Sequence, residues 1–334
     1  MIRWKKCCSI AVLTLALALS GCSSSKATVE EVMEDIKTTK NGELEDAVLE
    51  FDDVILQVGE SKVTYREVLF YMYQAKSSYE NKLNKEIWDV VLKGGNSFEE
   101  YAKEEILREL TEVKVICEQA AKGEVTLSDA ETAKAENEAA AFLQERTEEE
   151  KEHFGFKENC LNQIFMENAL AHKMYENTVG QADITLDEEE YRQVTVQYIK
   201  VKAEADNKEK AQARAEKLLV KAKKQENFAE FAKKKTDADE ITATFGKEDM
   251  PADIGETSMK LKTGEFSEVI EGTDGYYIVY CVTDQEEQLT ADKMAEAKAE
   301  RESEAFESAY TEWSKDYAVE VSVNLWKAIS IKEL

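Results

Sequence analysis

The spacing of the apolar residues changes near residue 190, and this change restricts the chain to a fold with two kinds of structure. Before residue 190 apolar residues recur every three or four positions over long stretches, which predicts a series of amphipathic helices. Beyond it, residues 194–204 (VTVQYIKVKAE) alternate between apolar and polar side chains, which is typical of a strand. Two amphipathic helices, a loop with a short helix, a turn and a closing strand follow. This βααβαβ order predicts a small α/β domain in an otherwise mostly helical, α+β protein.

The helical region is predicted to begin after two short strands. Residues 51–64 show two strand-like segments separated by a Gly-Glu turn, and a helix is expected to begin after Thr64. Further helices are expected at 97–121, 128–144 and 159–175, each with apolar residues at helical spacing.

Helix starts and the end of the chain can also be assigned. Ser128 and Asp187 precede acidic residues and are predicted N-caps, because their side chains can accept hydrogen bonds from free backbone N–H groups. A helix is expected at 289–317 with Thr290 as its cap. The alternating tail 318–331 (AVEVSVNLWKAISI) needs a partner surface, and the helical region before residue 180 is the expected one.

Two adjacent tyrosines stand at the start of the closing strand, DGYYIVYCV. Successive side chains of a strand point to opposite faces, so Tyr276 and Tyr277 cannot have the same role. Tyr276 is predicted to be in the core. Tyr277 is predicted to face another environment.

The N-terminus, MIRWKKCCSIAVLTLALALSGC, has the three parts of an export signal: basic residues, an apolar run and a small-residue exit. Leu19 to Cys22 resembles the lipobox of bacterial lipoproteins. We therefore expect a signal peptide at 1–21, lipidation of Cys22, a tether at 22–50, and a membrane-anchored protein on the outer face of a bacterial cytoplasmic membrane. The alternatives are an ordinary signal peptide and an uncleaved membrane helix.

The acidic excess limits the choice of partners. The formal net charge is −27, and removal of the signal brings it to about −30. Nucleic acid is therefore not a predicted partner. The acidic residues are expected on solvated faces, with attraction of basic or unfolded clients as the alternative.

No metal ion or cofactor is predicted. Glu149 and His153 are spaced i, i+4, but no third ligand with suitable spacing is apparent. Outside the signal and Cys22 the cysteines are Cys117, Cys160 and Cys281; they have no C-x-x-C spacing and lie in apolar patterns. They are expected to be small buried hydrophobic residues.

Several motifs together resemble a known family. The strand VQYIKV, the helix NFAEFAKKKTDAD and the stretch LKTGEFSEVIEGTDGYYIV resemble the parvulin-type peptidyl-prolyl isomerase domain, over residues 194–283. The segment VGESKVTYREV and most of the remaining chain resemble the discontinuous helical chaperone module of PrsA- and SurA-like foldases. The resemblance implies a chaperone module at 51–190, an inserted isomerase-like domain at 191–286, and a C-terminal helix and tail at 287–334 that pack on the module.

The same resemblance implies catalytic positions, and this sequence departs from the family there. Both histidine positions of the family are tyrosines, Tyr198 and Tyr277. The acidic or thiol position of the family falls near Ala238, which lies between Asp237 and Asp239. Asp237 is the candidate for this catalytic position. Tyrosine can donate and accept hydrogen bonds, but its ordinary pKa near 10 removes the tautomer exchange of histidine near neutral pH. The candidate catalytic set is therefore Tyr198, Asp237 and Tyr277, with weak or absent catalysis.

The apolar positions that contact proline in the family are better matched in this sequence than the catalytic ones. Phe245, Met250 and Ile254 match them in kind and are the candidate substrate-binding residues. Isomerisation makes no covalent bond; it lowers a torsional barrier of about 18 to 20 kcal/mol by holding the twisted amide. The alternative is that Tyr198 and Tyr277 simply fill the domain core.

Three functions are compared, and the first is the predicted one. The first is a membrane-anchored chaperone that binds unfolded or nascent exported polypeptides, with weak or absent isomerase activity. The second is an active peptidyl-prolyl isomerase with a histidine-free site, and the third is a structural or solute-binding lipoprotein of the envelope. Dimerisation of the helical module is left open. Tyr71, Met72, Tyr73 and Trp88 could line a client groove, although a stripe at this helical spacing is more often part of the core.

Overall fold

The computed structural model describes residues 49–93 and 95–334, and these residues form two compact units. The helical unit is discontinuous and contains residues 49–182 and 303–334, whereas the sheet unit contains residues 183–302. The combination of many helices with small antiparallel sheets confirms the expected α+β class.

The expected signal peptide, the lipidation site Cys22 and all of the tether except its last two residues lie outside the described residues. Within the described ranges, no helix is both long enough and apolar enough to cross a membrane.

The elements are numbered along the chain. The helical unit begins with β1 Val54–Val58, β2 Ser61–Thr64, α1 Tyr65–Leu83, a 3₁₀ helix Lys85–Asp89, α2 Phe98–Lys122, α3 Asp129–Gln144, α4 Glu148–His153 and α5 Glu158–Gln181. The sheet unit holds α6 Glu188–Tyr191, β3 Val194–Lys202, α7 Lys208–Ala222, α8 Phe228–Lys235, β4 Thr242–Phe245, α9 Gly255–Ser258, β5 Ile270–Gly272 and β6 Gly275–Thr283. The chain ends with α10 Glu287–Ser314, β7 Val319–Val321 and α11 Val323–Ala328.

Local capping explains where several helices begin. The Ser128 hydroxyl accepts from the Glu131 N–H, and the Glu131 carboxylate accepts from the Ser128 N–H, so both free donors are satisfied in a capping box. The Asp187 carboxylate caps α6 by accepting from the Glu189 N–H. Both predicted caps are confirmed. The prediction for Thr290 is wrong: α10 begins at Glu287, and the buried Thr290 hydroxyl instead accepts from the Gln193 N–H at 3.0 Å.

The C-terminal tail completes the helical unit, as its apolar pattern predicts. Strand β7 adds to a three-stranded antiparallel sheet of order β2-β1-β7, with Leu56 opposite Val321. After β7, Trp326, Ile329 and Ile331 are at most 3% exposed and belong to the same hydrophobic core as α1, α2 and α5.

Three of the four residues considered for a client groove lie in the core of this unit. Tyr71, Met72 and Trp88 are at most 5% exposed, and Tyr73 packs edge-on against Phe154. Interpretation of this stripe as a groove is therefore wrong for the three buried residues. The physical reason is that α1 is covered by α2, α5 and the 3₁₀ helix, so its apolar face is used in packing.

Two buried ionic side chains, Lys114 and Glu67, lie with the partly exposed Glu167 between α1, α2 and α5. Lys114 Nζ lies 2.9 Å from Glu67 Oε1 and 2.6 Å from Glu167 Oε2, and the Lys114 side chain is 1% exposed. The contact with Glu167 is a hydrogen bond, whereas Glu67 Oε1 is buried without a well-aligned donor. Burial raises the pKa of Glu67 to about 7, although the nearby ammonium of Lys114 acts in the opposite direction.

We expect the stability of the helical unit to fall as the pH rises from about 4.5 to about 7. Burial raises the pKa of Glu109 and of Glu112 to about 7, as it does for Glu67, so the folded state binds protons that the unfolded state has already released. This contribution to stability is fully present below pH 4.5, the ordinary pKa of a glutamate, and is lost as the pH passes 7. Urea unfolding over this range measures it.

The variant Glu112→Gln isolates one of these carboxyl groups. At pH 8 it should raise the free energy of unfolding by on the order of 1–3 kcal/mol, and at about pH 4, where Glu112 is largely protonated in both states, it should have little effect. The exposed Glu136→Gln is the matched control. An equal gain at both pH values would contradict the assignment.

The sheet unit carries a four-stranded antiparallel sheet of order β4-β3-β6-β5. Helices α7 and α8 cover one face, where Ile199, Leu219 and Ile278 are buried together. The other face carries a second cluster that includes Val196 and Val279. The observed order is βααβαββ, because the three-residue strand β5, which the sequence analysis missed, pairs with β6.

Candidate functional site

The two adjacent tyrosines of β6 lie on opposite faces of the sheet. Tyr276 packs with α7 and α8 in the cluster that holds Ile278, whereas Tyr277 belongs to the buried cluster on the other face of the sheet with Val279. The alternation of a strand therefore places the two tyrosines in different clusters, and both side chains are buried.

The Tyr277 hydroxyl lies among charged groups. It donates to Asp274 Oδ1 at 2.8 Å and lies 3.3 Å from Asp253 Oδ2. Lys200, which is opposite Tyr277 in the β3–β6 register, forms an ion pair with Asp274, and its Nζ lies 5.6 Å from the centre of the Tyr277 ring. Burial and the Asp274 carboxylate raise the pKa of Tyr277 to about 12, so the phenol stays protonated at neutral pH.

Tyr198 lies beside Tyr277 on the same face. The two ring centres are 6.3 Å apart, with an angle of 51° between the ring planes. Tyr198 is half-buried, and burial is the main cause that raises its pKa, with a smaller contribution from Glu240. The structure thus brings together the two tyrosines that occupy the family's histidine positions.

Asp237 does not join this pair. Its carboxylate makes two hydrogen bonds to Arg214 of α7, at 2.7 and 3.1 Å, and accepts from the Lys202 N–H at 3.1 Å. The guanidinium of Arg214 holds the pKa of Asp237 below its usual range. The structure gives Asp237 the role of fixing α7 to the end of β3, and its catalytic role remains a prediction.

The three candidate substrate-binding residues share the apolar cluster of this face. Phe245 and Ile254 are 2% and 4% exposed, and Met250 is partly exposed at the edge. The Met250 side chain crosses Gly255 so closely that a Cβ at that glycine would lie 1.7 Å from Met250 Cγ. Most of the apolar surface that would cradle a proline ring is therefore covered by the protein's own side chains.

Sequence reasoning missed the polar groups that surround Tyr277. Asp274 lies only three residues before Tyr277, in the turn that precedes β6. Lys200 lies on the same face of β3 as Tyr198, two residues away, and is opposite Tyr277. The sequence pattern could therefore have indicated both residues. Asp253 is 24 residues away in sequence and has none. Gly272 is also required, because a Cβ there would lie 2.6 Å from Tyr277 Cε2.

The helical unit exposes four large apolar side chains in the segment where α1 leads into α2. Val90 and Val91 follow the 3₁₀ helix, Leu83 ends α1 and Tyr101 lies in the first turns of α2; their exposed fractions are 44%, 69%, 50% and 41%. Beneath them, the rings of Tyr79, Trp88 and Phe98 pack with centres 5.0 to 6.0 Å apart, and Phe98 contacts Tyr101. Leu83, Val90, Val91 and Tyr101 are called the α1–α2 patch below.

In the described part of the chain, no group of three or more His, Cys, Asp or Glu side chains has the arrangement of a metal site.

The sheet unit has a small antiparallel sheet. Two helices cover one face of the sheet, and a tyrosine pair packs with apolar residues on the other. Residues 196–284 match the rotamase family model, described as the PPIC-type PPIase domain. The expected resemblance to these isomerases is confirmed for this segment. No curated protein gives a significant sequence match.

Solved structures of foldases are also similar to the chain. They include the foldase PrsA of Lactococcus lactis, with 17% identity over 81% of this chain and 95% of that one and a TM-score of 0.32. The peptidylprolyl isomerase PrsA of Bacillus cereus has 18% identity over 84% and 98%, with a TM-score of 0.31. A structure from work on two SurA-like chaperones of Campylobacter jejuni has 14% identity over 80% and 98%, with a TM-score of 0.30.

Proposed function

We propose that the protein is a lipid-anchored, extracytoplasmic chaperone that binds unfolded or nascent exported polypeptides, and that its PPIC-type domain has weak or absent isomerase activity. The α1–α2 patch is the observation that supports chaperone activity most directly. Large apolar side chains that are exposed to water favour contact with another apolar chain. The rings of Tyr79, Trp88 and Phe98 pack together in the same segment.

The candidate cleft of the sheet unit supports low isomerase activity. An isomerase must hold a proline ring in an apolar pocket and stabilise the twisted amide by hydrogen bonds. Here Phe245 and Ile254 are buried beneath other side chains, and the Tyr277 hydroxyl already donates to Asp274.

The anchor and the location are part of the same proposal. They rest on the lipobox-like sequence ending at Cys22 and on the export signal before it. The second candidate function is an active isomerase, which the placement of Met250 at the edge of the cleft beside the tyrosine pair supports. A structural or solute-binding role has no comparable support from the described residues.

Two assays on the chain from Ser23 onward, which keeps every described residue, test the proposal. The first follows aggregation of a chemically unfolded client, and the second follows refolding of a proline-limited substrate, which takes about 10 to 100 s without catalysis. We expect suppression of aggregation with little acceleration of refolding. Acceleration that is lost in Met250→Ala would establish the second function instead.

The triple variant Leu83→Ser/Val91→Ser/Tyr101→Ser tests the α1–α2 patch. It should require about tenfold more protein for equal suppression of aggregation, because most interface truncations cost less than about 1 kcal/mol and about 0.5 kcal/mol for each of the three gives this factor. The control is Val220→Ser/Val282→Ser/Leu289→Ser, which removes exposed apolar side chains outside this patch. Equal loss in both variants, or no loss in the first, would remove the patch from the client site.

A further inference from the structure

Helices α7 and α8 of the sheet unit carry a positive charge that contrasts with the rest of the protein. Residues 208–235 contain ten Lys and Arg residues and four Glu residues, a net charge of +6. The whole chain has a formal net charge of −27, so the remainder carries −33. This segment comprises α7, α8 and the turn between them.

Four of these basic residues form one stripe on α7. Lys210, Arg214, Lys217 and Lys221 follow the spacing i, i+4, i+7, i+11, which places them along one side of a helix. At a rise of about 1.5 Å per residue the stripe is about 16 Å long. All four side chains are exposed, and the buried residues of α7, among them Ala215 and Leu219, point away from them into the core. These four residues are called the basic stripe below.

Most of the charge on the basic stripe is not neutralised within the protein. Arg214 is paired with Asp237, but Lys210, Lys217 and Lys221 have no ion pair among the residues that the structure describes. The Arg214 guanidinium also donates to the Lys235 carbonyl at 3.0 Å, which joins the stripe to the three lysines at the end of α8. Val220, 59% exposed, lies on the outer surface of α7 beside Lys217.

We propose that the basic stripe binds an anionic phospholipid surface and orients the sheet unit on it. Lysines on an amphipathic helix are attracted by anionic lipids, and an adjacent exposed apolar side chain such as Val220 can enter the headgroup region. The acidic remainder does not prevent this contact, because charges farther from the surface than the Debye length of about 8 Å are screened. The choice of a lipid surface rests on the proposed anchor at Cys22, which would keep the chain next to a membrane.

Cosedimentation with vesicles tests the proposal on the unlipidated chain from Ser23 onward, so that the anchor cannot cause binding. We expect binding to vesicles that contain phosphatidylglycerol, no binding to pure phosphatidylcholine vesicles, and loss of binding at high salt. The triple variant Lys210→Gln/Lys217→Gln/Lys221→Gln should weaken binding about a hundredfold, at about fivefold per lysine. It leaves Arg214 and its contact with Asp237 intact.

The matched control is Lys247→Gln/Lys260→Gln/Lys293→Gln, which removes the same charge from exposed positions of the same unit outside α7. It should keep most of the binding. Equal binding to both kinds of vesicle, or equal loss in both variants, would overturn the proposal. So would binding of soluble polyphosphate, or salt-dependent self-association, without binding to anionic vesicles. The aggregation assay does not use vesicles, so chaperone activity can fail or succeed independently of this result.

Discussion

Deletion of residues 319–334 is expected to unfold the helical unit and to leave the unit of residues 183–302 folded. The deleted tail supplies β7, which pairs with β1, and a set of buried side chains. These are Val319, Trp326, Ile329 and Ile331, which are at most 7% exposed. Burial of each contributes about 1.5–3 kcal/mol, on the order of 6–12 kcal/mol together. This is comparable with the whole stability of a typical domain, about 5–15 kcal/mol.

Tryptophan fluorescence can separate the two units in this experiment. Residues 183–302 contain no tryptophan, whereas Trp88 and Trp313 remain in the helical unit after the deletion. The truncated chain should show no cooperative fluorescence transition in urea, while circular dichroism should still detect unfolding of the sheet unit. Deletion of Lys332 to Leu334 alone is the control and should preserve the transition. A normal fluorescence transition in the longer deletion would mean that the helical unit is stable without its C-terminal segment.

The substitution Lys114→Met is expected to destabilise the helical unit by about 3–5 kcal/mol at pH 8, because it leaves two carboxylates near each other without their counter-ion. Glu67 is 5% exposed, so its carboxylate is largely shielded from water. Because Lys114 lowers the pKa of Glu67, its loss should raise that pKa further, and protonation should relieve part of the cost. The destabilisation should therefore be smaller at pH 5 than at pH 8.

Two controls distinguish this ionic effect from a general loss of packing. Lys122→Met removes an exposed partner of Asp316 and should change the urea midpoint much less. In the double variant Glu67→Gln/Lys114→Met the loss of Lys114 should cost less than it does alone, because the amide that replaces the Glu67 carboxylate carries no charge. A cost for Lys114→Met that is independent of pH and of Glu67 would show that packing of the lysine stem, and not its charge, is what matters.

Features that depend on short-range geometry could be predicted from the sequence. Ser128 and its Glu131 partner are three residues apart, so the capping box is recognisable in the sequence. Alternation along β6 was enough to separate Tyr276 from Tyr277. The apolar tail could likewise be assigned to the helical unit, because it had more apolar residues than its own elements could bury.

The candidate site was predictable only in part. The resemblance located Tyr198 and Tyr277, and the structure places their ring centres 6.3 Å apart. It also suggested Asp237, whose carboxylate is bound instead to Arg214. That contact depends on the packing of α7 against the end of β3. Neither the charge pattern of α7 nor that of the loop that carries Asp237 specifies this contact.

The sequence by itself determined the α+β class, the order of the long elements, the faces of their side chains and the positions of the tyrosines, because these follow from backbone periodicity and from neighbours a few residues apart. Only the tertiary structure decided that Asp253 and Asp274 surround the Tyr277 hydroxyl and that the proposed groove residues Tyr71 and Met72 are in the core. The physical reason is that the partner of a polar group and the exposure of an apolar one depend on segments far apart in sequence, whose meeting no local pattern encodes.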